Sequence, residues 1–377
     1  MRWYRAIDVQ FSRCRWPRRR RWGAKVLRSV KHLAAAAGLV IGFAPALAQD
    51  HAERLRIVGG LANVNQYTRH EQPFWTVELP RLSGGRVTGE IVPFDQAGLR
   101  GQEMLRLIQI GAVPFGTALL SRVASQDPEL SAVDLAGLNP DMAALRRNLA
   151  AFRPHLKQRL RQRWGIELLA VYVYPAQVTF CNKSFSTISS LSGRRIRSAS
   201  VTTSDLIRAI GAVPVQTEFA EIVPGVRSGA MECAITGAMS GNTIGLHEVT
   251  SHVNTTAITW GIAVFGANVG AWAALRSETR ELLLRQLPLL ERRIWNDAEH
   301  ETTEGLACNA GAPDCVRGKK GKMTVVNEVA ADAKLRHSIL ISTVLPNWVQ
   351  RCGPQCAVVW NNTLKPVTGI EADSSRK

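Results

Sequence analysis

The sequence predicts an α/β protein built as two lobes. Strand-like and helix-like segments alternate through most of the chain, the pattern of sheets covered by helices and largely parallel. At 377 residues and 46% hydrophobic, the chain has enough apolar material for two cores of ordinary size.

Taken in order, Leu55 to Val58 reads as the first strand and Gln66 to Leu82 as a helix. Gly84-Gly85 then marks a turn before a second strand, Val87 to Pro93. Gln102 to Gly111 is helical, with Leu105, Ile108 and Ile110 among its apolar residues. Asp141 to Trp164 carries Leu145, Leu149 and Phe152 at three- and four-residue steps, and its many arginines read as a solvated face. Leu168 to Tyr174 and Gln177 to Cys181 are strand-like, and Ile196 to Ser198 is a short strand. Thr203 to Ile210 is a helix closed by Gly211, Val213 to Thr217 a strand, Glu221 to Ser228 a helical turn and Met231 to Thr236 a strand. Thr256 to Gly266 alternates small and β-branched residues and is expected to cross back to the first lobe. From Ser277 to Thr303 a helix shows Leu287, Leu290, Ile294 and Ala298 on one stripe, with Pro288 starting its second half or kinking it. The segment Cys308 to Lys322 is a Gly- and Lys-rich loop.

The formal charge of +17 is uneven along the chain. Residues 1–48 hold 11 Lys or Arg and one acid, Asp8; the remaining 36 bases and 29 acids leave +7 over 329 residues. A nucleic-acid module is therefore not expected, and the body has only a mild preference for anions. The leader itself reads as a secretory signal: bases up to Lys31, an apolar run from Leu33 to Ala44, and Ala46-Leu47-Ala48 as a cleavage site. About a dozen apolar residues are too few for the roughly 30 Å hydrocarbon core of a bilayer. Val26 to Lys31 would serve alone as the basic region, which puts the expected start near Val26, and Arg20-Arg21 also permits a twin-arginine route.

Export fits the cysteines, six of which follow residue 48. Cys308 with Cys315, and Cys352 with Cys356, are spaced for local disulfides, while Cys181 and Cys233 lie in apolar runs and read as buried packing residues. Neither close pair has the two-residue gap of a zinc knuckle.

Catalytic motifs are incomplete. His247 and His252 are five apart where a zinc-protease helix needs four, Ser240 lacks the first Gly of a nucleophile elbow, and Gly318 to Met323 lacks the spacing of a phosphate loop. No Gly-x-Gly-x-x-Gly follows the first strand. Neither an enzyme nor a cofactor is expected.

A different set of residues carries a resemblance. Leu191-Ser192-Gly193-Arg194-Arg195-Ile196-Arg197 is followed by Ala209-Ile210-Gly211-Ala212-Val213-Pro214-Val215, Phe219-Ala220-Glu221-Ile222 and Ser228-Gly229-Ala230-Met231-Glu232-Cys233-Ala234. Upstream stand Glu71-Gln72-Pro73-Phe74-Trp75 and Gly84-Gly85. This order resembles the substrate-binding proteins of tripartite ATP-independent periplasmic (TRAP) transporters, the dicarboxylate-binding group in particular, over roughly residues 54 to 365 and most strongly in the second lobe.

The resemblance implies the two-lobed periplasmic binding protein (Venus flytrap) fold with crossing hinge strands and a long helix spanning both lobes. Its expected parts are a signal peptide at 1–48, a first lobe of 54–173 plus 257–285, a second of 174–256 plus 286–365, and a flexible tail at 366–377. It implies a periplasmic monomer that captures a small organic acid, closes on it and presents it to membrane subunits. It also implies that Arg197 grips the ligand carboxylate, a role suited to a guanidinium's parallel N–H donors. Ser200, Phe219 and Thr236 match further ligand-facing positions, and Gln96 is the first-lobe candidate. Gln177 stands where many relatives carry a second arginine, which puts a doubly charged ligand in doubt. A sensing partner of a signalling receptor, the binding subunit of an ATP-driven importer and, more remotely, a periplasmic hydrolase are the other roles in view.

Overall fold

The computed structural model describes residues 52–373. The signal peptide and its cleavage site lie outside the described residues, as do residues 374–377 of the tail.

The first lobe is a five-stranded sheet in the order β2-β1-β3-β10-β4, made by β1 (Glu53–Gly59), β2 (Val87–Pro93), β3 (Phe115–Leu119), β4 (Ile166–Val173) and β10 (Ile262–Asn268). The second is a six-stranded sheet in the order β11-β9-β5-β8-β6-β7. Its strands are β5 (Gln177–Cys181), β6 (Arg195–Ser198), β7 (Val213–Gln216), β8 (Cys233–Gly237), β9 (His252–Asn254) and β11 (Thr324–Val326). Both sheets are mixed. β1 runs parallel to β2 and β3, and β6 parallel to β7 and β8, but β10 is antiparallel to both its neighbours and β5 to both of its own. The antiparallel strands are those entered from the other lobe, so the crossings themselves break the parallel order. At the crossing point Gln177 bridges Thr259, with Gln177 N donating to Thr259 O at 2.8 Å and Ile258 N to Gln177 O at 2.9 Å.

The helical reading of Gln66 to Leu82 holds, partly wound as π-helix. Asp141 caps the helix Met142–Trp164 by accepting from Ala144 N at 2.7 Å, and Gly165 closes it in the left-handed region at φ 59°. The long helix Ser277–Ala310 runs further than its apolar stripe suggested, through Cys308 into the expected loop. Its Leu283, Leu287, Leu290 and Ile294 pack on the first-lobe core around Trp75, Tyr172 and Phe265. Further along, it lies so close to the helix Ala238–Thr243 that a Cβ on Gly305 would sit 2.3 Å from Met239 N. One helix thus spans both lobes, and it leaves the first-lobe core later than residue 286. The C-terminal helices also belong to neither lobe alone: Trp348 Nε1 donates to Pro128 O at 2.7 Å, while Arg351 pairs with Asp205 at 2.6 Å.

Two expectations need correction. Cys181 and Cys233 are bonded to each other, alongside the expected Cys308–Cys315 and Cys352–Cys356 bridges. They face one another in register on β5 and β8 with Cα atoms 4.1 Å apart, a pairing that strand register sets and sequence spacing does not show. The tail is docked as far as it is described: Trp360 Nε1 donates to Ile370 O, and Asn361 and Ala372 exchange two hydrogen bonds of 2.9 Å.

Candidate ligand-binding site

Between the lobes, at the carboxyl ends of the strands and against the crossing segments, lies a cavity of about 70 Å³. One ordered water needs roughly 10–15 Å³, so the space suits a small solute. Its walls are mostly apolar, with Phe94, Leu119 and Leu130 from the first lobe and Phe219 from the second.

The structure brings Arg197, Gln177, Ser200, Phe219 and Thr236 together around this cavity. Gln96 is not among them; it stands exposed in the turn after β2. Ser200 spends its hydroxyl locally, accepting from Thr203 N at 3.1 Å as the N-cap of the helix Val201–Ala209. Gln177 Nε2 donates to Pro175 O and Trp260 O, so its amide ties the two crossing segments. Thr236 is buried on β8, and Phe219 is half-buried in the turn before the helix Ile222–Arg227.

Arg197 is one of two arginines that line the cavity. It lies on β6, beside β7 and β8, and is 3% exposed. Nη1 donates to Ile235 O at 2.9 Å and Nη2 to Thr217 O at 3.3 Å, which fixes the guanidinium plane, while Nε has no partner among the described residues. Two of its five N–H groups are thereby used. No carboxylate pairs with it among the described residues. Burial, reinforced by the charge of Arg122, pulls its pKa down to about 9, so it remains cationic at neutral pH.

Two cavity residues were not anticipated. Arg122 follows β3, a strand the sequence reading passed over, and forms an ion pair with Glu218 of the second lobe. Asp134 is half-buried and accepts from Trp260 N at 3.1 Å and Gly261 N at 2.8 Å. The available signal was a charged residue just past an apolar run, Phe115 to Leu120, because open α/β sheets gather ligands at the carboxyl ends of their strands. The near-miss His247 and His252 sit in a turn and on β9, not on a shared helix.

Burial pushes three carboxyls up to about 7: Asp134, Glu71 beneath β1, and Glu301 on the long helix, each against the opposing pull of its hydrogen bonds. In the unfolded chain such groups titrate near ~4. Between about pH 4 and 7 the folded protein therefore holds protons that the unfolded chain has released, and stability falls as pH rises. His247, lowered by burial, opposes this trend as a single group, and Asp297 acts only at lower pH. For Asp297, burial is outweighed by hydrogen bonds from His70 and Arg317, which bring it to about 2, so its stabilisation is lost only in strong acid. Thermal melts of the ligand-free protein are expected to show Tm decreasing from pH 5 to 7.5, with a shallower slope in Glu71→Gln. A Tm that climbs through that window contradicts the burial assignments.

The profile described as bacterial extracellular solute-binding protein, family 7, matches residues 65–308. No curated protein matches. Among solved structures, a Bordetella pertussis extracytoplasmic solute receptor binding pyroglutamic acid shares 21% identity at a TM-score of 0.71, covering 82% of this chain and 99% of its own. A Rhodoferax ferrireducens TRAP periplasmic solute-binding protein with bound malonate shares 19% identity at 0.70, covering 83% and 99%. Another from Shewanella oneidensis with bound succinate shares 17% at 0.69, covering 82% and 98%. At these identities the structures establish the two-lobed fold, and the profile, matched over most of the chain, establishes descent: this protein belongs to the family 7 extracellular solute-binding proteins, the receptors of TRAP transporters, and is a binding protein and not an enzyme.

Proposed function

We propose that this protein captures a small carboxylate in the periplasm by seating the acid group on Arg197, and hands it to the membrane subunits of a TRAP transporter. The observation that carries the reading is the buried guanidinium with no carboxylate partner among the described residues, at a cavity between the lobes. An isolated charge away from water is costly, and a site that keeps one is prepared for a counter-ion. A carboxylate on the N–H groups left over from Ile235 and Thr217 would satisfy it in the strongest hydrogen-bond geometry available to an arginine. Ligand contacts reaching both lobes at once favour the closed state over the open one, and closure is the signal the transporter reads. The pyroglutamate, malonate and succinate named for the similar structures supply the first compounds to try.

The test is a thermal-shift panel of organic acids on the mature protein, with amides and sugars as neutral controls. A ligand at a hundred times its Kd stabilises by about 2.7 kcal/mol, which such a melt resolves easily. Carboxylates are expected to raise Tm and their neutral amides not to. A panel in which only neutral compounds act refutes the assignment.

A further inference from the structure

Resting on the assignment of Arg197 as anchor, we infer that the cavity is charge-matched to a ligand bearing a single negative charge. Glu218 of the second lobe already neutralises Arg122, the other guanidinium that reaches the cavity.

The inference follows from counting charges in the walls. Arg197 contributes one positive charge with no acidic partner among the described residues. Arg122, which enters from the first lobe just past β3, cancels against Glu218, so the pair presents no net charge to a ligand. Gln177 contributes a neutral amide already engaged with two backbone carbonyls. Asp134 brings no positive charge, and when ionised it adds a negative one. Most of the rest is apolar. A second carboxylate on the ligand would be stripped of water among apolar walls, with no free cation among the described residues to meet it. A far end that is an amide, a ring carbonyl or a hydroxyl escapes that cost.

The same pair has a mechanical consequence. Arg122 is largely buried and Glu218 largely exposed, on opposite lobes, so the ion pair forms only where the two lobes meet. Closing brings two guanidiniums from different lobes toward one another. Glu218 answers one of them and the ligand must answer the other. Charge selection thus depends on groups from both lobes together.

Isothermal titration with compounds that differ in charge but hardly in shape tests this. Succinate is compared with succinamate and malonate with malonamate, with pyroglutamate as a further monoanion. The parent protein is expected to bind its best monoanion at least tenfold more tightly than either diacid. Glu218→Gln, an exposed position outside the core, frees Arg122 and is expected to shift that ratio toward the diacids by tenfold or more. Arg122→Met leaves Glu218 unopposed and should weaken all the acids, the diacids most. A diacid that matches the best monoanion in the parent protein, or a ratio that Glu218→Gln does not move, overturns the inference while leaving Arg197 as anchor. Absence of binding by every carboxylate, or binding that Arg197→Met does not change, defeats the anchor and the inference together.

Discussion

Replacing Arg197 by Met is expected to raise the Kd for the carboxylate ligand by about 10²- to 10⁴-fold. The estimate takes two charge-assisted hydrogen bonds at about 1.5–3 kcal/mol each, and every 1.4 kcal/mol is a factor of ten. The guanidinium is already oriented by Ile235 O and Thr217 O, so little side-chain entropy is lost on binding, and the N–H groups left over are fixed in direction. Arg197→Lys is expected to recover only a small part of the loss, because an ammonium restores the charge but not the fork. A second readout separates this from simple damage to the core. Met removes a buried cation that has no ion-pair partner among the described residues, so the ligand-free Tm should stay level or rise, unlike the usual outcome of changing a residue 3% exposed. Titration calorimetry and ligand-free melts on the same preparations decide the matter. A variant that binds within threefold of the parent removes Arg197 from the site, and one that loses Tm along with affinity points to a structural role.

Why the place of Arg197 beside the cavity was legible and that of Arg122 was not is a question of how local the signal is. Arg197 closes a compact strand motif, and the neighbouring Gly193, Gly211 and Gly229 adopt positive φ where the chain turns between strands and helices of the second lobe, so the sequence there is tied to geometry residue by residue. Arg122 acquires its meaning only from β3 being central in the first sheet, between β1 and β10, and from Glu218 arriving from the other lobe. Neither fact has a local trace. The strands β9 and β11 were missed for a related reason, since three residues each is too short for an alternation to show. Gln96 failed in the opposite sense: it sits near the end of a correctly read strand, but the turn after Pro93 carries it into solvent while Phe94 enters the cavity wall. Helix ends were set by capping more than by hydrophobic pattern, which is why Asp141 and Gly165 bracket their helix closely while Ser277–Ala310 overran its stripe.

The disulfide between Cys181 and Cys233 is expected to be the largest single covalent contribution to stability, about 4 kcal/mol, in the chain-entropy account for a closed loop of roughly fifty residues. The other two bridges close loops of 7 and 4 residues by sequence separation, and loop entropy grows with the logarithm of length, so each contributes less. Position adds to the effect. Both cysteines are fully buried, and they link β5, the strand that receives the chain from the first lobe, to β8, the strand that carries Thr236 and flanks Arg197. Losing the bond therefore loosens the sheet that holds Arg197, whereas opening Cys308–Cys315 affects the C-terminal end of the long helix, where both cysteines are buried against Met239. The double change Cys181→Ala, Cys233→Ala should lower the urea midpoint substantially and weaken ligand affinity, while Cys308→Ala, Cys315→Ala should leave affinity near that of the parent. Equal losses of stability from the two double variants would mean that loop length does not govern the effect. An unchanged affinity in the first would mean that Arg197 is held by its carbonyl partners without help from the bridge.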